Sequence, residues 1–439
     1  MSGCGEPGSG AARRTSEGGV YRPRKPRASP LYRCADRHLA ELRSEGRLQR
    51  LLEERVIERF LKCGDPHHGF ARVYCSECRH DYLLAFSCKA RYFCPSCHQK
   101  RMLAYGEWVE ENVLAPVPHR QYVFTVPRML RPIFSRRRGL LGELCHIVER
   151  LLIEGYTGAG VEGRPGLILF VQTFGDLLTC NPHLHVLAAD GAFRSDGAFV
   201  GLPAIPVKLP ERGFRSEVLK LLVAEGAIGE RLSASMLAWR HSGFSVHNGV
   251  RVAAGDPEGR KKLAQYMLRA PLSLEKMSYD ARTGMVLYRS HMHKSLKRNF
   301  QLMPGAPWLE LLCRHIPDRF EHLVRYAGWY STRVRGERAR KAASAVAVQA
   351  TEDGPEIAAC ARSAWARLIH KVYEVDPLEC PKCGAPMQVI ALIDDAAVIR
   401  RVLEHLGRWA PREARQNQRA PPKQPPVREL TYHPVPDIA

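Results

Sequence analysis

The chain has 439 residues, of which 45% are hydrophobic, a globular level that argues against wholesale disorder. Its 66 Lys and Arg outnumber 45 Asp and Glu, giving a formal charge of +21, so polyanions such as DNA or RNA are natural partners, although a generally basic surface explains the charge equally well. No apolar stretch is long enough to span a membrane, and no apolar leader follows Met1, so we expect a cytoplasmic protein of two to four domains with no membrane partner.

The N-terminal region is predicted to be a basic arm followed by a helical domain. Residues 1–30 are rich in Gly, Ser, Pro and Arg, a composition typical of a disordered arm that can lie along phosphates. Apolar residues then recur at helical spacing between 30 and 62, and a further helix is expected at 98–114. We therefore place a helical and metal-binding domain at 31–114.

The middle of the chain mixes strand and helix patterns, which predicts an α+β domain over residues 115–330. Short β-branched and aromatic runs predict strands at 121–126, 166–174, 183–189, 244–252 and 285–288. Helical periodicity predicts helices at 140–153, 215–240 and 257–269, the last ended by Pro271.

The C-terminal part changes character twice. Residues 331–362 lose apolar periodicity and carry clustered arginines, which predicts a basic linker. Residues 363–409 form a small predicted module with a Cys-x-x-Cys pair, and the proline-rich residues 410–439 are expected to be a disordered tail.

Clustered cysteine pairs predict structural zinc. Two Cys-x-x-Cys pairs separated by fifteen residues are typical of one tetrahedral site with four thiolates, which leaves no coordination position open for chemistry. The predicted ligands are Cys75, Cys78, Cys94 and Cys97. Nearby Cys63, His67, His68, Cys88 and His98 complete a second site or simply pack. Cys380 and Cys383 form half a zinc site whose other ligands are not evident, with Cys360, His370 and His405 as candidates.

Basic residues interleaved with aromatic ones surround this predicted zinc site. Lys89 and Arg91 lie among Tyr82, Tyr92 and Phe93, a combination that suits contact with DNA. An ordinary zinc-ribbon surface explains the same pattern.

A predicted strand carries two histidines. Residues i and i+2 of a strand point to the same face, so His183 and His185 project together while Leu184 and Val186 face a core. Two imidazoles can bind a divalent ion, although core or surface histidines are an equally good interpretation. Gln172, on the preceding predicted strand, offers an amide oxygen that suits Mg²⁺ or Mn²⁺, or is an ordinary strand residue.

Tyr266 is the candidate nucleophile. A phenol is a weak nucleophile unless positive charge lies nearby. Lys262 at i−4 and Arg269 at i+3 share its predicted helical face and could hold a phosphate. Without the histidine pair, an amphipathic helix with one interfacial tyrosine would be the better interpretation. Tyr279, expected in a turn, and Tyr288, in a strand, are the other candidates.

The order of these motifs resembles the insertion-sequence 91 family of rolling-circle transposases, over about residues 31–335. The resemblance rests on Ser87-Cys-Lys-Ala-Arg-Tyr-Phe-Cys-Pro-Ser-Cys97, Gln172-Thr-Phe-Gly175, Asn181-Pro-His-Leu-His185, Tyr266-Met-Leu-Arg269, His315-Ile-Pro-Asp318 and Val324-Arg-Tyr-Ala-Gly-Trp-Tyr330.

The resemblance implies an antiparallel-sheet His-hydrophobe-His nuclease with an N-terminal zinc-binding domain. His183 and His185 would bind Mg²⁺ or Mn²⁺. Tyr266 would attack single-stranded DNA at the element ends and form a 5′-phosphotyrosine link. Typical members carry two tyrosines four residues apart, whereas Lys262 and Ala270 occupy those offsets here, so a single-tyrosine variant is expected.

Two other functions remain open on the sequence. One is a rolling-circle replication initiator or relaxase, which the N-terminal ribbon and the lack of a helicase motif disfavour. The other is an inactive zinc-ribbon DNA-binding protein. For the transposase, we expect a bacterial, nucleoid-associated protein that can form oligomers.

Overall fold

The computed structural model describes residues 26–347 and 380–409, apart from residues 91, 159, 161, 203–205 and 293–296. These residues form an α+β fold with antiparallel sheets, as predicted. Its helices are α1 Pro30–Ser44, α2 Leu51–Leu61, α3 Pro95–Asn112, α4 Arg131–Arg136, α5 Leu140–Thr157, α6 Lys208–Ala224, α7 Glu230–Ala238, α8 Pro257–Met267, α9 Gly305–Cys313, α10 Thr332–Ala347 and α11 Ala396–His405. Across the described ranges, no helix is both long and apolar enough to cross a membrane.

The strands of the described residues form four antiparallel sheets. The strands are β1 Phe70–Cys75, β2 Asp81–Ala85, β3 His119–Thr125, β4 Gly166–Phe174, β5 Cys180–Ala189, β6 Gly191–Phe193, β7 Phe199–Gly201, β8 Ser245–Val252, β9 Met277–Asp280, β10 Met285–Arg289, β11 Phe300–Pro304, β12 Val324–Gly328 and β13 Met387–Ile393. The largest sheet has the order β12-β4-β5-β3-β8, and the others are β13-β1-β2, β11-β10-β9 and β6-β7.

The five-stranded sheet is covered on both faces, which explains why β4 is buried along its whole length. On one face, Leu184 and Val186 of β5 pack with α5 and α6. On the other face, Leu187 and Ala189 pack with residues of α3 and α8. Because side chains alternate along a strand, His183 and His185 belong to the face that α3 and α8 cover.

A second core joins the N-terminal helices to the sheet β9-β10-β11. Helix α1 begins at the N-cap Ser29, whose side chain accepts a hydrogen bond from the Tyr32 amide at 3.1 Å, and packs on α9. The turn between β4 and β5 inserts Leu177 and Leu178 into this core, both at a φ of 57°. A left-handed backbone is costly for leucine, so burial in this core holds the turn in place.

The C-terminal segment is not a separate module. Strand β13 pairs with β1 from Phe70↔Ile393 to Cys75↔Met387, and α11 buries Ile399 and Leu403 against Phe70. Residues 380–409 therefore complete the sheet of the N-terminal cysteine-rich region.

Several predicted boundaries were wrong. The start of the predicted basic linker is helix α10, and the predicted helices at 30–62 and 215–240 are each two helices. Tyr279 lies in strand β9 and not in a turn. Residues 1–25, 348–362 and 410–439, predicted as arm, linker and tail, lie outside the described residues.

Candidate active site and thiolate clusters

The two histidine side chains of β5 lie next to each other on one buried face of the sheet. His183 is 7% exposed and His185 is 4% exposed, and their Nε2 atoms lie 3.1 Å apart. Since metal–nitrogen distances are about 2.1 Å, this separation allows both nitrogens to bind one ion.

Hydrogen bonds set the state of each imidazole ring. His183 donates from Nδ1 to the Asn181 carbonyl at 2.6 Å, so its Nε2 is unprotonated and can accept a hydrogen bond from His185 or bind a metal. Nδ1 of His185 lies 2.7 Å from the amide nitrogen of Gln121 on β3. For both Nε2 atoms to bind one ion, the Gln121 amide must be flipped, so that its oxygen accepts a hydrogen bond from His185 Nδ1–H.

Burial also keeps these rings neutral. Desolvation lowers the pKa of His183 to about 4 and that of His185 to about 3, and nearby positive charge from Arg269 adds to both shifts. Arg131 on α4 contributes to the lowered pKa of His183. The neutral form is the one that binds metals, and the two arginines provide the positive charge that a phosphate would require.

Gln172 lies on the strand next to the pair. It lies directly opposite His183 in the β4–β5 register and donates through Nε2 to the Met267 carbonyl of α8 at 2.7 Å. Its Oε1 is buried without a hydrogen-bond partner. Because Gln172 pairs with His183, its orphaned amide oxygen is a candidate ligand for a divalent cation at the two histidines, and no third His, Cys, Asp or Glu atom joins the pair among the described residues.

Tyr266 lies on α8 beside the histidines. Its ring centroid is 6.0 Å from that of His185 at an interplanar angle of 87°, and the Arg269 guanidinium carbon is 4.5 Å from the tyrosine ring centroid. The Tyr266 side chain is 46% exposed, and exposed Lys262 shares its face of the helix. The structure therefore brings together the predicted nucleophile, both histidines, Gln172 and both predicted phosphate-contacting residues.

Helix α8 is held in place by α3 of the N-terminal region. Asp256 caps its start by accepting from the Gly259 amide at 2.8 Å, and Arg260 forms a bidentate ion pair with Glu110 at 2.6 and 3.1 Å. Gly106 is required at the crossing, because a Cβ there would lie 2.5 Å from Gln265.

One buried histidine links the cysteine-rich region to this helix. His98, next to Cys97, donates from Nε2 to the Leu268 carbonyl at 2.7 Å and accepts from the Tyr92 amide at Nδ1 at 3.1 Å. A single tautomer satisfies both bonds, so the end of α8 is fixed close to Arg269.

Gln121 and Arg131 were missed by the sequence analysis. The available signal for Gln121 was a polar residue at the start of a largely apolar predicted strand, but only the strand order places it against His185. Arg131 carried no local signal.

The predicted zinc site is divided between two clusters, so the predicted grouping of ligands was wrong. Cys94 and Cys97 lie with Cys63 and Cys88, whose sulfur atoms are 3.6–3.8 Å from those of their neighbours. Strand β1 carries Cys75 away from this group, because it runs along β13 and ends beside Cys380. Cys75 and Cys78 instead lie with Cys380 and Cys383. Neither cluster includes His405, and Cys360 and His370 lie outside the described residues.

The structure describes only one of the two basic residues predicted to contact DNA near the cysteines. Lys89 is exposed at a φ of 53°, directly after the cluster residue Cys88. Arg91 lies outside the described residues.

Comparison with known proteins identifies the class. Residues 34–126 match the family described as "Transposase zinc-binding domain", and residues 166–338 match the family described as "Putative transposase". These matches define a transposase with an N-terminal zinc-binding domain, and the cluster of Cys63, Cys88, Cys94 and Cys97, which lies wholly within residues 34–126, fits a structural zinc site.

Two curated relatives agree with these matches. The "Transposase for insertion sequence element IS801" of Pseudomonas savastanoi pv. phaseolicola is 26% identical over 82% of this chain and 88% of its own length. The "Putative transposase y4qJ" of Sinorhizobium fredii is 29% identical over 65% of this chain and 76% of its own length. No solved structure shows a significant match. The chain belongs to the insertion-sequence 91 family of transposases, as its motif order indicated.

Proposed function

We propose that this transposase nicks single-stranded DNA at the ends of its element by attack of Tyr266 on a phosphate. The observation that carries this proposal is the position of Tyr266, whose exposed phenol lies beside a buried pair of neutral histidines and under Arg269. A phenol, a phosphate-binding cation and a divalent-ion site are what a tyrosine strand-transfer reaction requires.

Each residue has a defined part in this reaction. His183, His185 and Gln172 would hold Mg²⁺ or Mn²⁺, which when bound withdraws charge from a non-bridging phosphate oxygen. Arg269 and Lys262 position the phosphate beside the phenol. The Tyr266 oxygen forms a bond to phosphorus and loses its proton to solvent, while the bond to the 3′ oxygen breaks and that oxygen takes a proton. The products are a 5′-phosphotyrosine link and a free 3′-OH.

The other candidate tyrosines lack a free phenol. Tyr279 is 7% exposed and its hydroxyl lies 3.2 Å from Nε2 of His38. Tyr288 is 3% exposed, accepts from the Ser273 amide at 3.2 Å, and has its pKa raised by burial to about 12. Neither side chain is placed to contact a DNA phosphate.

The proposal is tested by an assay for a covalent protein–DNA adduct that survives boiling in detergent. Full-length protein is incubated with Mg²⁺ or Mn²⁺ and single-stranded DNA carrying an element end, and the adduct is mapped by peptide mass spectrometry. We expect DNA on the peptide that contains Tyr266, loss of the adduct in Tyr266→Phe, and an unchanged adduct in Tyr74→Phe, which makes the same change on β1. DNA attached to another peptide would contradict the assignment.

The histidines are tested in the same assay. We expect His183→Ala and His185→Ala to lower metal-dependent nicking by about two to four orders of magnitude, because several kcal/mol of charge stabilisation is lost. DNA binding should persist in both variants and should weaken steeply with salt, since the chain carries a charge of +21. Binding without any nicking by the unaltered protein would favour the inactive DNA-binding protein.

A further inference from the structure

The second thiolate cluster joins strand β1 of the N-terminal region to the C-terminal segment 380–409. The Cys75 and Cys383 sulfurs are 3.6 Å apart, and those of Cys78 and Cys380 are 3.4 Å apart. All four sulfurs lie within 4.8 Å of one another. Thiolates at about 2.3 Å from a tetrahedral zinc ion are roughly 3.8 Å apart, whereas a disulfide requires about 2.05 Å.

Two turns of the same geometry face each other across this cluster. The Cys75 amide donates to the His80 carbonyl at 2.8 Å, and the Cys380 amide donates to the Ala385 carbonyl at 2.8 Å. In each turn the residue after the second cysteine has a positive φ, 58° at Arg79 and 72° at Gly384. Each turn therefore directs two sulfurs to one point, as chelating Cys-x-x-Cys turns do.

The apolar packing around the cluster is slight. Its buried core consists of Val73, Cys75, Cys380 and Met387, and the adjoining core of Phe70, Ile399 and Leu403. Cores of this size rarely hold a small sheet together without a metal or disulfides.

We propose that Cys75, Cys78, Cys380 and Cys383 bind a second zinc ion that fastens the C-terminal segment 380–409 to strand β1. The matched zinc-binding domain, residues 34–126, contains only half of this site, because Cys380 and Cys383 lie outside both matched ranges. Four thiolates leave no open position, so the ion is structural and its role does not depend on the proposed nicking reaction.

The two zinc sites should differ in how readily they exchange metal. Cys78 and Cys383 are exposed, whereas three of the four cysteines in the cluster of Cys63, Cys88, Cys94 and Cys97 are buried. A chelator should therefore empty the split site first.

The first experiment measures zinc per chain in the full-length protein by elemental analysis. We expect two zinc ions in the unaltered chain and in Cys180→Ser, a half-buried cysteine outside both clusters. We expect one zinc in Cys380→Ser/Cys383→Ser and in Cys75→Ser/Cys78→Ser, with segment 380–409 released by limited proteolysis in both. Zinc content unchanged by the Cys380→Ser/Cys383→Ser substitutions would overturn the proposal.

The second experiment uses only the unaltered protein, so its result does not depend on whether a variant folds. Thiol alkylation of the unaltered protein is mapped by mass spectrometry before and after brief chelation. We expect Cys75, Cys78, Cys380 and Cys383 to be protected together and to become reactive together, before the other cluster does. Alkylation of Cys380 and Cys383 in the zinc-loaded protein, at the rate of Cys180, would show that no ion holds them.

Discussion

The five-stranded sheet and the cysteine-rich sheet are both antiparallel, yet different forces hold them. The five-stranded sheet is covered on both faces by extended apolar clusters that include α3, α5, α6 and α8. The sheet β13-β1-β2 has buried clusters of only four and three residues, and its first cluster is formed partly by cysteines. Apolar burial scales with area, so we expect the first sheet to fold on its own packing and the second to depend on metal.

Loss of a buried zinc ligand should have the largest effect. Cys94 is fully buried, and Cys94→Ser removes a thiolate from an ion whose apparent binding free energy is about 10 kcal/mol or more. We expect loss of zinc and of amide protection around that cluster, while the amides of β4 and β5 stay protected in hydrogen exchange. Loss of amide protection in β4 and β5 as well would show that the five-stranded sheet also depends on metal.

The complementary change removes apolar packing from the larger sheet. Phe124 is fully buried with its ring centroid 5.1 Å from that of Phe214, so Phe124→Ala should lower the free energy of unfolding by about 3–5 kcal/mol. Urea unfolding measures this loss, and zinc content should stay unchanged below the transition. Phe320→Ala, at a side chain 78% exposed, is the matched control and should change little.

Acid should weaken the larger sheet through buried neutral histidines. Burial lowers the pKa of His119 and of His315 to about 4 from about 6.5, so the unfolded chain binds more protons between these values. The contribution of these two histidines to the free energy of unfolding should therefore be constant above pH 6.5 and fall as pH drops towards 4, by roughly 3 kcal/mol per histidine.

Urea unfolding across this pH range, with zinc content measured at each point, tests that expectation. His315→Asn should flatten the pH dependence relative to the unaltered chain, whereas His146→Asn, at an exposed side chain, should not. An unaltered slope in His315→Asn would contradict the role of this histidine.

The smallest effect is expected at the contact between the two regions. His98→Phe keeps a ring of similar size but leaves the Leu268 carbonyl and the Tyr92 amide without partners, which should cost about 1–3 kcal/mol. Because Leu268 lies between Tyr266 and Arg269, adduct formation should slow as well. His68→Phe, at an exposed histidine, should alter neither the free energy of unfolding nor the rate of adduct formation. An unchanged adduct rate in His98→Phe would show that this contact between the two regions does not affect Tyr266.

Local patterns in the sequence predicted four of the five strands of the larger sheet, and the edge strand β12 was not predicted. The predicted strand at 166–174 has the observed bounds of β4, since a continuous β-branched and aromatic run suits a strand buried on both faces. The shared face of His183 and His185 followed from the two-residue period of a strand. The family followed from the order of the motifs along the chain.

Other contacts depended on strand and helix pairing, which a linear pattern does not encode. Gln121 reaches His185 only because β3 and β4 flank β5, and Tyr266 reaches the same histidine only because α8 docks on α3. The grouping of the zinc ligands failed for the same reason. A Cys-x-x-Cys spacing determines which two sulfurs share one turn, but Cys78 and Cys380 are 302 residues apart, and only the pairing of β1 with β13 decides which turns meet.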